Sequence, residues 1–343
     1  MGCPRTIYEP FAFGLNMEAT RVDHRIQRVC AETPYWLQAA AVPGLTVALL
    51  EDGQTRDVLC FGVTQPNGSV PVTEETIFKA ASLSKQAFLY AVLKTVEAGM
   101  LDVERPLAQY IDRPYDADDV DLGRITVRHV LTHTTGWYNW PPDGELITRK
   151  APLGEQWTYS GQAFLYLQAA LESLWNKPAA DYLQRLVLDP LGMPKSSFLW
   201  RDEYAETAVE GFDQYGRIPD PCRWYPTEAD ASGSLHTTAR EYAQLLEAYL
   251  GADLRLRHPD VYCQQAEIDE RLGWSLGWGT ASDVLWQWGY HVAFNAFAAL
   301  VPSTGTGIVI LTNGAKGQRI NREWVNAWLG TDLPAFYLHN IEL

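Results

Sequence analysis

The sequence predicts an α/β chain: an antiparallel sheet flanked by helices, with an all-helical lobe set between its strands. Three observations point there. Residues 45–50 and 56–63 are strand-like runs joined across Asp52-Gly53, a hairpin signal. From 101 to 200, Pro- and Gly-rich loops separate helical patterns, and no strand alternation interrupts them. Strand pattern returns at 297–301 and 308–312, around the turn-forming run Pro302-Ser303-Thr304-Gly305-Thr306-Gly307. The expected division is a discontinuous sheet lobe from 20–100 and 235–340 and a helical lobe from 101–234, with the active site in the cleft between them.

The helices follow from spacing. Beyond Ser82, the residues Phe88, Leu89, Val92, Leu93 and Val96 recur three and four apart and define one buried face, with Gly99 at the C-cap. Further helices are expected at 126–132, 162–175, 179–188 and 239–250, and a last one near 322–329 covers the sheet.

Composition narrows the class. With 343 residues, 47% hydrophobic, 20% charged and 13 Trp, the chain can bury a large core. Its net charge of −15 repels phosphate backbones, which argues against nucleic acid as a partner. The five cysteines (Cys3, Cys30, Cys60, Cys222, Cys263) are scattered and never in C-x-x-C spacing, so reduced, buried thiols are expected rather than zinc or a disulfide framework. No His/Asp/Glu cluster has metal spacing, and neither metal nor cofactor is expected. No run reaches the length of a membrane helix, so no membrane span is expected. A cytoplasmic location follows, an expectation that a cleaved signal peptide would change. Met1-Gly2 with Thr6 also fits the loose myristoylation pattern.

The chemistry-bearing segment is Ser82-Leu83-Ser84-Lys85, where a loop turns into a helix. That places Ser82 at the positive end of the helix dipole and Lys85 one turn on, along the same face. A serine hydroxyl attacks only when a neighbour accepts its proton, and a lysine accepts only when burial or nearby cations favour its neutral form. The same residues could instead be a helix N-cap with a solvated lysine.

Context decides between these. Ile77-Phe78-Lys79-Ala80-Ala81-Ser82-Leu83-Ser84-Lys85, the later Val96-Glu97-Ala98-Gly99-Met100-Leu101-Asp102, Val42-Pro43-Gly44-Leu45, the block from Ile125 through His129 and His133 to Gly136, and Asp189-Pro190-Leu191-Gly192-Met193 occur in the order of a known family. The chain resembles the class C β-lactamase-like members of the serine β-lactamase and penicillin-binding-protein family, over about residues 43–314. The resemblance implies a β-lactamase/transpeptidase-like fold and an acyl-enzyme mechanism with Ser82 as nucleophile. The family's Y-x-N motif falls on Tyr159-Ser160-Gly161, so Tyr159 maps to the catalytic tyrosine, whose phenolate a neighbouring ammonium makes less costly. Gly161 lacks the carboxamide that holds a substrate amide in the family, and Gln162 beside it is a candidate replacement.

The third family motif, K-T-G or H-x-G, maps best to Gln287-Trp288-Gly289; a rival register takes His291-Val292-Ala293. In the first register the backbone N–H groups of Ser82 and Tyr290 form the oxyanion hole. Gly161, Gln162, Gln287, Trp288, Gly289 and His291 are the expected substrate-binding positions. Gln287 is neutral where the family often has a cation, so a substrate carboxylate is less well held. Trp137, Tyr138, Trp140, Trp157, Trp286 and Trp288 gather near these blocks and, if they line the cleft, favour an apolar or aromatic substrate. His129 and His133 are expected to be structural hydrogen-bonders.

The resulting expectation is a serine hydrolase acting on a small ester or amide, carboxylesterase-like first. A D-amino-acid peptidase or amidase comes second, an acyltransferase or peptide cyclase third, and β-lactamase action last. The different-class alternative is a non-catalytic binding homologue.

Overall fold

The computed structural model describes residues 24–338 except 66–69, 113–114, 116–118, 142–145, 214, 216 and 219–224. The Met1-Gly2-Thr6 pattern, Cys3 and Cys222 lie outside the described residues.

The hairpin is β1 (Gly44–Glu51) and β2 (Gln54–Gly62), paired antiparallel. Asp52 and Gly53 both sit at positive φ, 53° and 77°, as a two-residue turn with left-handed positions requires. Next come the two-residue strands β3 (Phe78–Lys79) and β4 (His236–Thr237), which pair with each other, then β5 (Ala266–Glu267), β6 (Gly273–Trp274) and β7 (Gly279–Ala281). The longer β8 (Val284–His291), β9 (Phe294–Val301) and β10 (Thr306–Thr312) complete the set. Among the described residues, eight strands form one antiparallel sheet in the order β2-β1-β10-β9-β8-β7-β6-β5. The last strands thus pair back onto the first, and the strands of this sheet come from residues 44–62 and 266–312.

The helices are α1 (His24–Ala40), α2 (Ser84–Glu97), α3 (Val127–Leu131), α4 (Gly161–Trp175), α5 (Ala179–Leu183), α6 (Tyr204–Thr207), α7 (Ala239–Leu250), α8 (Ala252–Arg257) and α9 (Gln318–Leu329). A π-turn, Gln184–Leu188, continues α5, which accounts for the single helix expected over 179–188. α7 has the expected bounds, and α9 starts one turn earlier than expected because Ile320 and Asn321 are already buried.

Both faces of the sheet are covered. In β1, Leu45, Val47 and Leu49 cluster with Ile308 and Ile310 of β10 and Trp324 of α9, while Ala48 and Leu50 cluster with Phe88 and Leu89 of α2 and Leu246 of α7. Side chains alternate across a strand, so burial on both faces makes an unbroken apolar run such as LTVALL. Two expectations are corrected here. Trp137 and Trp286 are fully buried in the core and do not line a cleft. The cysteines are not uniformly buried: Cys30 and Cys60 are half-buried and Cys263 is exposed, all three as free thiols. Among the described residues no helix is long and apolar enough to cross a membrane, and no group of three or more His, Cys, Asp or Glu could hold a metal ion.

Candidate active site

Ser82 sits where β3 ends and α2 begins. The Ala80 N–H donates to the Leu235 carbonyl at 2.9 Å, which continues the β3–β4 pairing to the edge of the turn. Ala81 then takes a left-handed φ of 47°, a strained value for a residue with a β-carbon. Ser84 stabilises that turn: its hydroxyl donates to the Ala81 carbonyl at 2.6 Å and accepts the Leu235 N–H at 2.9 Å. Ser82 lies in the single 3-10 turn Ala81–Leu83 that opens α2, at the positive end of the helix.

Lys85 is buried on the next turn. Its Nζ donates to Ser82 Oγ at 3.1 Å and to the Ser232 carbonyl at 2.8 Å, and lies 5.0 Å from the centre of the Tyr159 ring and 5.4 Å from that of Phe164. The alternative of an N-cap serine with a solvated lysine fails on both counts. The N-cap residue of α2 is Leu83, which has no capping group, and Lys85 is out of solvent. Sequence reasoning did not find Ser232. Its signal is the compact run Asp230-Ala231-Ser232-Gly233-Ser234, where Asp230 Oδ1 accepts both the Ser232 N–H and hydroxyl and so aims the Ser232 carbonyl at Lys85.

Tyr159 is buried just before α4, whose N-cap Ser160 accepts the Ala163 N–H at 3.1 Å and donates to the Tyr138 carbonyl at 2.9 Å. Its hydroxyl accepts from Gln287 Nε2 at 3.2 Å, and the same amide nitrogen is 3.3 Å from the Ser82 carbonyl oxygen. Gln287 therefore joins the tyrosine to the Ser82 carbonyl, and among the described residues the Tyr159 hydroxyl bonds to Gln287 rather than to Ser82 or Lys85. Trp288 stacks on Tyr159 with ring centres 5.3 Å apart and on Trp286 at 5.0 Å.

β8 passes directly beside Ser82. A β-carbon at Gly289 would press on the Ala80 carbonyl oxygen and lie 3.2 Å from the Ser82 nitrogen, so glycine is needed for the close approach. Tyr290 follows it, paired with Asn295 of β9. The rival register falls elsewhere: Val292, with φ 45°, and Ala293 form the β8–β9 turn. The His291 side chain faces Lys79, with Nδ1 3.0 Å from Nζ, rather than Ser82. Burial and the Lys79 charge lower His291 to about 4, and the same two causes lower His236 to about 4.

At Gly161 the space of a side chain is filled. A β-carbon there would lie 2.6 Å from Cζ2 of Trp140, a half-exposed indole laid across the start of α4. The Gly161 N–H donates to Asn139 Oδ1 at 2.8 Å, so the segment before Trp140 is tied to this helix end. Gln162 turns away, its amide donating to the Tyr115 hydroxyl at 3.2 Å. The two histidines expected to be structural hydrogen-bond partners are engaged so: His129 forms a capping box with Thr126, and His133 holds the peptide of Ser160.

The family model described as "Beta-lactamase" matches residues 24–331. The chain is 27% identical to "Esterase EstB" of Burkholderia gladioli over 56% of its own length and 55% of that protein's. It is 22% identical to "D-alanyl-D-alanine-carboxypeptidase/endopeptidase AmpH" of Escherichia coli strain K12, covering 75% of this chain and 71% of that one. The fold is that of the octameric penicillin-binding protein homologue from Pyrococcus abyssi, with a TM-score of 0.76 and 20% identity over 91% of this chain and 80% of the other. The β-lactamase/transpeptidase-like fold is thereby shown, and with the family model spanning most of its length the chain belongs to the Beta-lactamase family of serine hydrolases.

Proposed function

We propose that the chain is an acyl-enzyme-forming serine hydrolase that acts on small esters with an apolar or aromatic acyl group. The carrying observation is the buried Lys85 ammonium nitrogen, 3.1 Å from Ser82 Oγ at the start of α2. Ser82 Oγ attacks the ester carbonyl carbon while its proton passes to the Lys85–Tyr159 pair. Negative charge develops on the carbonyl oxygen and is met by the backbone N–H groups of Ser82 and Tyr290, held together by the close approach at Gly289. The carbon–oxygen bond to the alcohol then breaks, the alcohol leaves with the proton, and an ester on Ser82 remains. Water, losing its proton to the same pair, attacks that ester; the bond to Ser82 Oγ breaks, the pair returns the proton to Oγ, and the acid is released.

Ester is preferred over amide for two reasons. Trp140 fills the place of a carboxamide at position 161, and Gln287 is neutral and already engaged by Tyr159 and the Ser82 carbonyl. A lactam or D-Ala-D-Ala substrate would then find neither its amide nor its carboxylate well held. The similarity to an esterase supports this reading, and the similarity to a carboxypeptidase keeps D-aminoacyl amides in the comparison. Steady-state kcat/KM on short aryl esters, D-aminoacyl anilides and a chromogenic lactam tests it. The predicted order is esters first, with the lactam slowest by about 10²-fold or more, since a buried polar mismatch discriminates far better than a missing methylene. A lactam turned over fastest contradicts the ester assignment.

A further inference from the structure

We infer that His133 is the positioning residue that holds Tyr159 in register for proton transfer, a role that rests on the catalytic reading of Tyr159 above. The observation is that one residue accepts from the backbone N–H groups of both neighbours of the tyrosine, Thr158 and Ser160. The His133 carbonyl accepts the Thr158 N–H at 2.6 Å, and its Nδ1 accepts the Ser160 N–H at 3.1 Å. Between those two anchors the imidazole lies against the phenol itself, with ring centres 4.3 Å apart and planes 35° from parallel. Three contacts from one side chain and its own backbone therefore set the position and tilt of the Tyr159 ring.

The chemistry of the imidazole fits that task. Because Nδ1 accepts from a peptide N–H, the ring proton resides on Nε2, which has no hydrogen-bond partner among the described residues. The imidazole packs among rings, its centre 4.9 Å from that of Trp274, edge-on, 5.3 Å from that of Phe164 and 6.2 Å from that of Trp157. Full burial, and then the nearby Lys85 charge, hold His133 well below the ordinary histidine range, so it stays a neutral acceptor. A protonated imidazole would lose its lone pair and release Ser160. His133 itself adopts φ 55°, a left-handed conformation that His and Asn tolerate better than most residues, and this bend is what turns its carbonyl and ring toward the same tyrosine.

Two substitutions separate the acceptor from the ring. His133→Asn keeps an acceptor and suits the left-handed backbone, whereas His133→Phe keeps the ring and loses the acceptor, leaving the Ser160 N–H buried and unpaired. Each is compared with wild type and Tyr159→Phe on an aryl ester, with active sites counted by phosphonate titration. The expected result is a kcat about 10- to 100-fold lower in His133→Phe at unchanged KM, because a misplaced proton-transfer group reduces turnover of bound substrate. Its kcat–pH profile moves with that of Tyr159, while His133→Asn keeps at least about a third of wild-type kcat.

If His133→Phe turns over within twofold of wild type with an unmoved pH profile, the inference is overturned, even where its melting temperature falls. Should His133→Phe not fold, the Asn variant decides: a loss as large as that of Tyr159→Phe shows that the acceptor is not what holds the tyrosine. If Tyr159→Phe itself keeps full activity, the catalytic reading fails first, and the Tyr159 role falls independently of His133.

Discussion

At the scale of single residues, the site combines small deviations from ordinary backbone with unusual burial. Ala81 at φ 47° places Ser82 in its turn, and the Ser84 hydroxyl bridges that turn to the neighbouring chain. A buried lysine is rare unless its hydrogens are taken up, and Ser82 Oγ and the Ser232 carbonyl take up two of them. Position 161 carries the most specific consequence. Asn there would overlap the Trp140 indole, so Gly161→Asn should lower aryl-ester kcat/KM about tenfold by pushing the indole aside. In a Trp140→Ala background the same change should cost less than about threefold, because the space is then free. A double-mutant cycle on kcat/KM measures the coupling, and additive effects would show that the two residues do not share that space.

Elements explain how such residues were partly visible beforehand. Ser82 and Lys85 were visible as a pair one turn apart where a loop enters a helix, whereas Tyr159 and Gly289 were found through the resemblance, whose motifs fall on Tyr159-Ser160-Gly161 and Gln287-Trp288-Gly289. Ser232 acts through a main-chain carbonyl on a residue 147 positions away, with only the compact run 230–234 as its local trace, and His133, expected as a hydrogen-bonder, meets a peptide 27 positions on that its own neighbours do not indicate. α1 escaped notice because Pro34 lies inside it and because its buried stripe, Ile26, Val29, Thr33, Leu37 and Ala40, includes a threonine while the aromatic Tyr35 is exposed. β3 and β4, of two residues each, are below the length at which alternation can be read.

That short β3–β4 pair also makes the fold sensitive to acid. His236 of β4 and His291 at the end of β8 lie near Lys79 of β3, and both have been lowered to about 4 by burial and that charge. Between the ordinary histidine value near 6.5 and about 4, the unfolded chain binds protons that the folded chain does not. The stabilisation is therefore complete above about pH 6.5 and is lost as pH falls through that window. Melting temperature measured from pH 7 to 4 should fall, and should fall less steeply in a His236→Asn, His291→Asn double variant. Parallel curves for the two proteins would assign the acid sensitivity to other groups.

For the whole molecule, the topology brings distant segments together around one point. β10 and β9 pair back onto the N-terminal hairpin, which carries β8 across to the start of α2, and α4 delivers Tyr159 to the same place from residues between the two groups of strands. Sequence pattern revealed the hairpin, the helical middle and the returning strands because each is locally periodic. It could not show which of the tryptophans would be core, since Trp137 and Trp140 stand three residues apart in one loop and differ only in what the third dimension puts over them, the first fully buried and the second half-exposed.

The central claim is that Ser82, activated by Lys85, forms the covalent intermediate. Incubation with an active-site-directed aryl phosphonate followed by intact-protein mass measurement tests it in one step. A single adduct on the wild-type chain, absent from Ser82→Ala and formed at least about 10²-fold more slowly by Lys85→Ala, is the predicted result. Equal labelling of wild type and Ser82→Ala would contradict it.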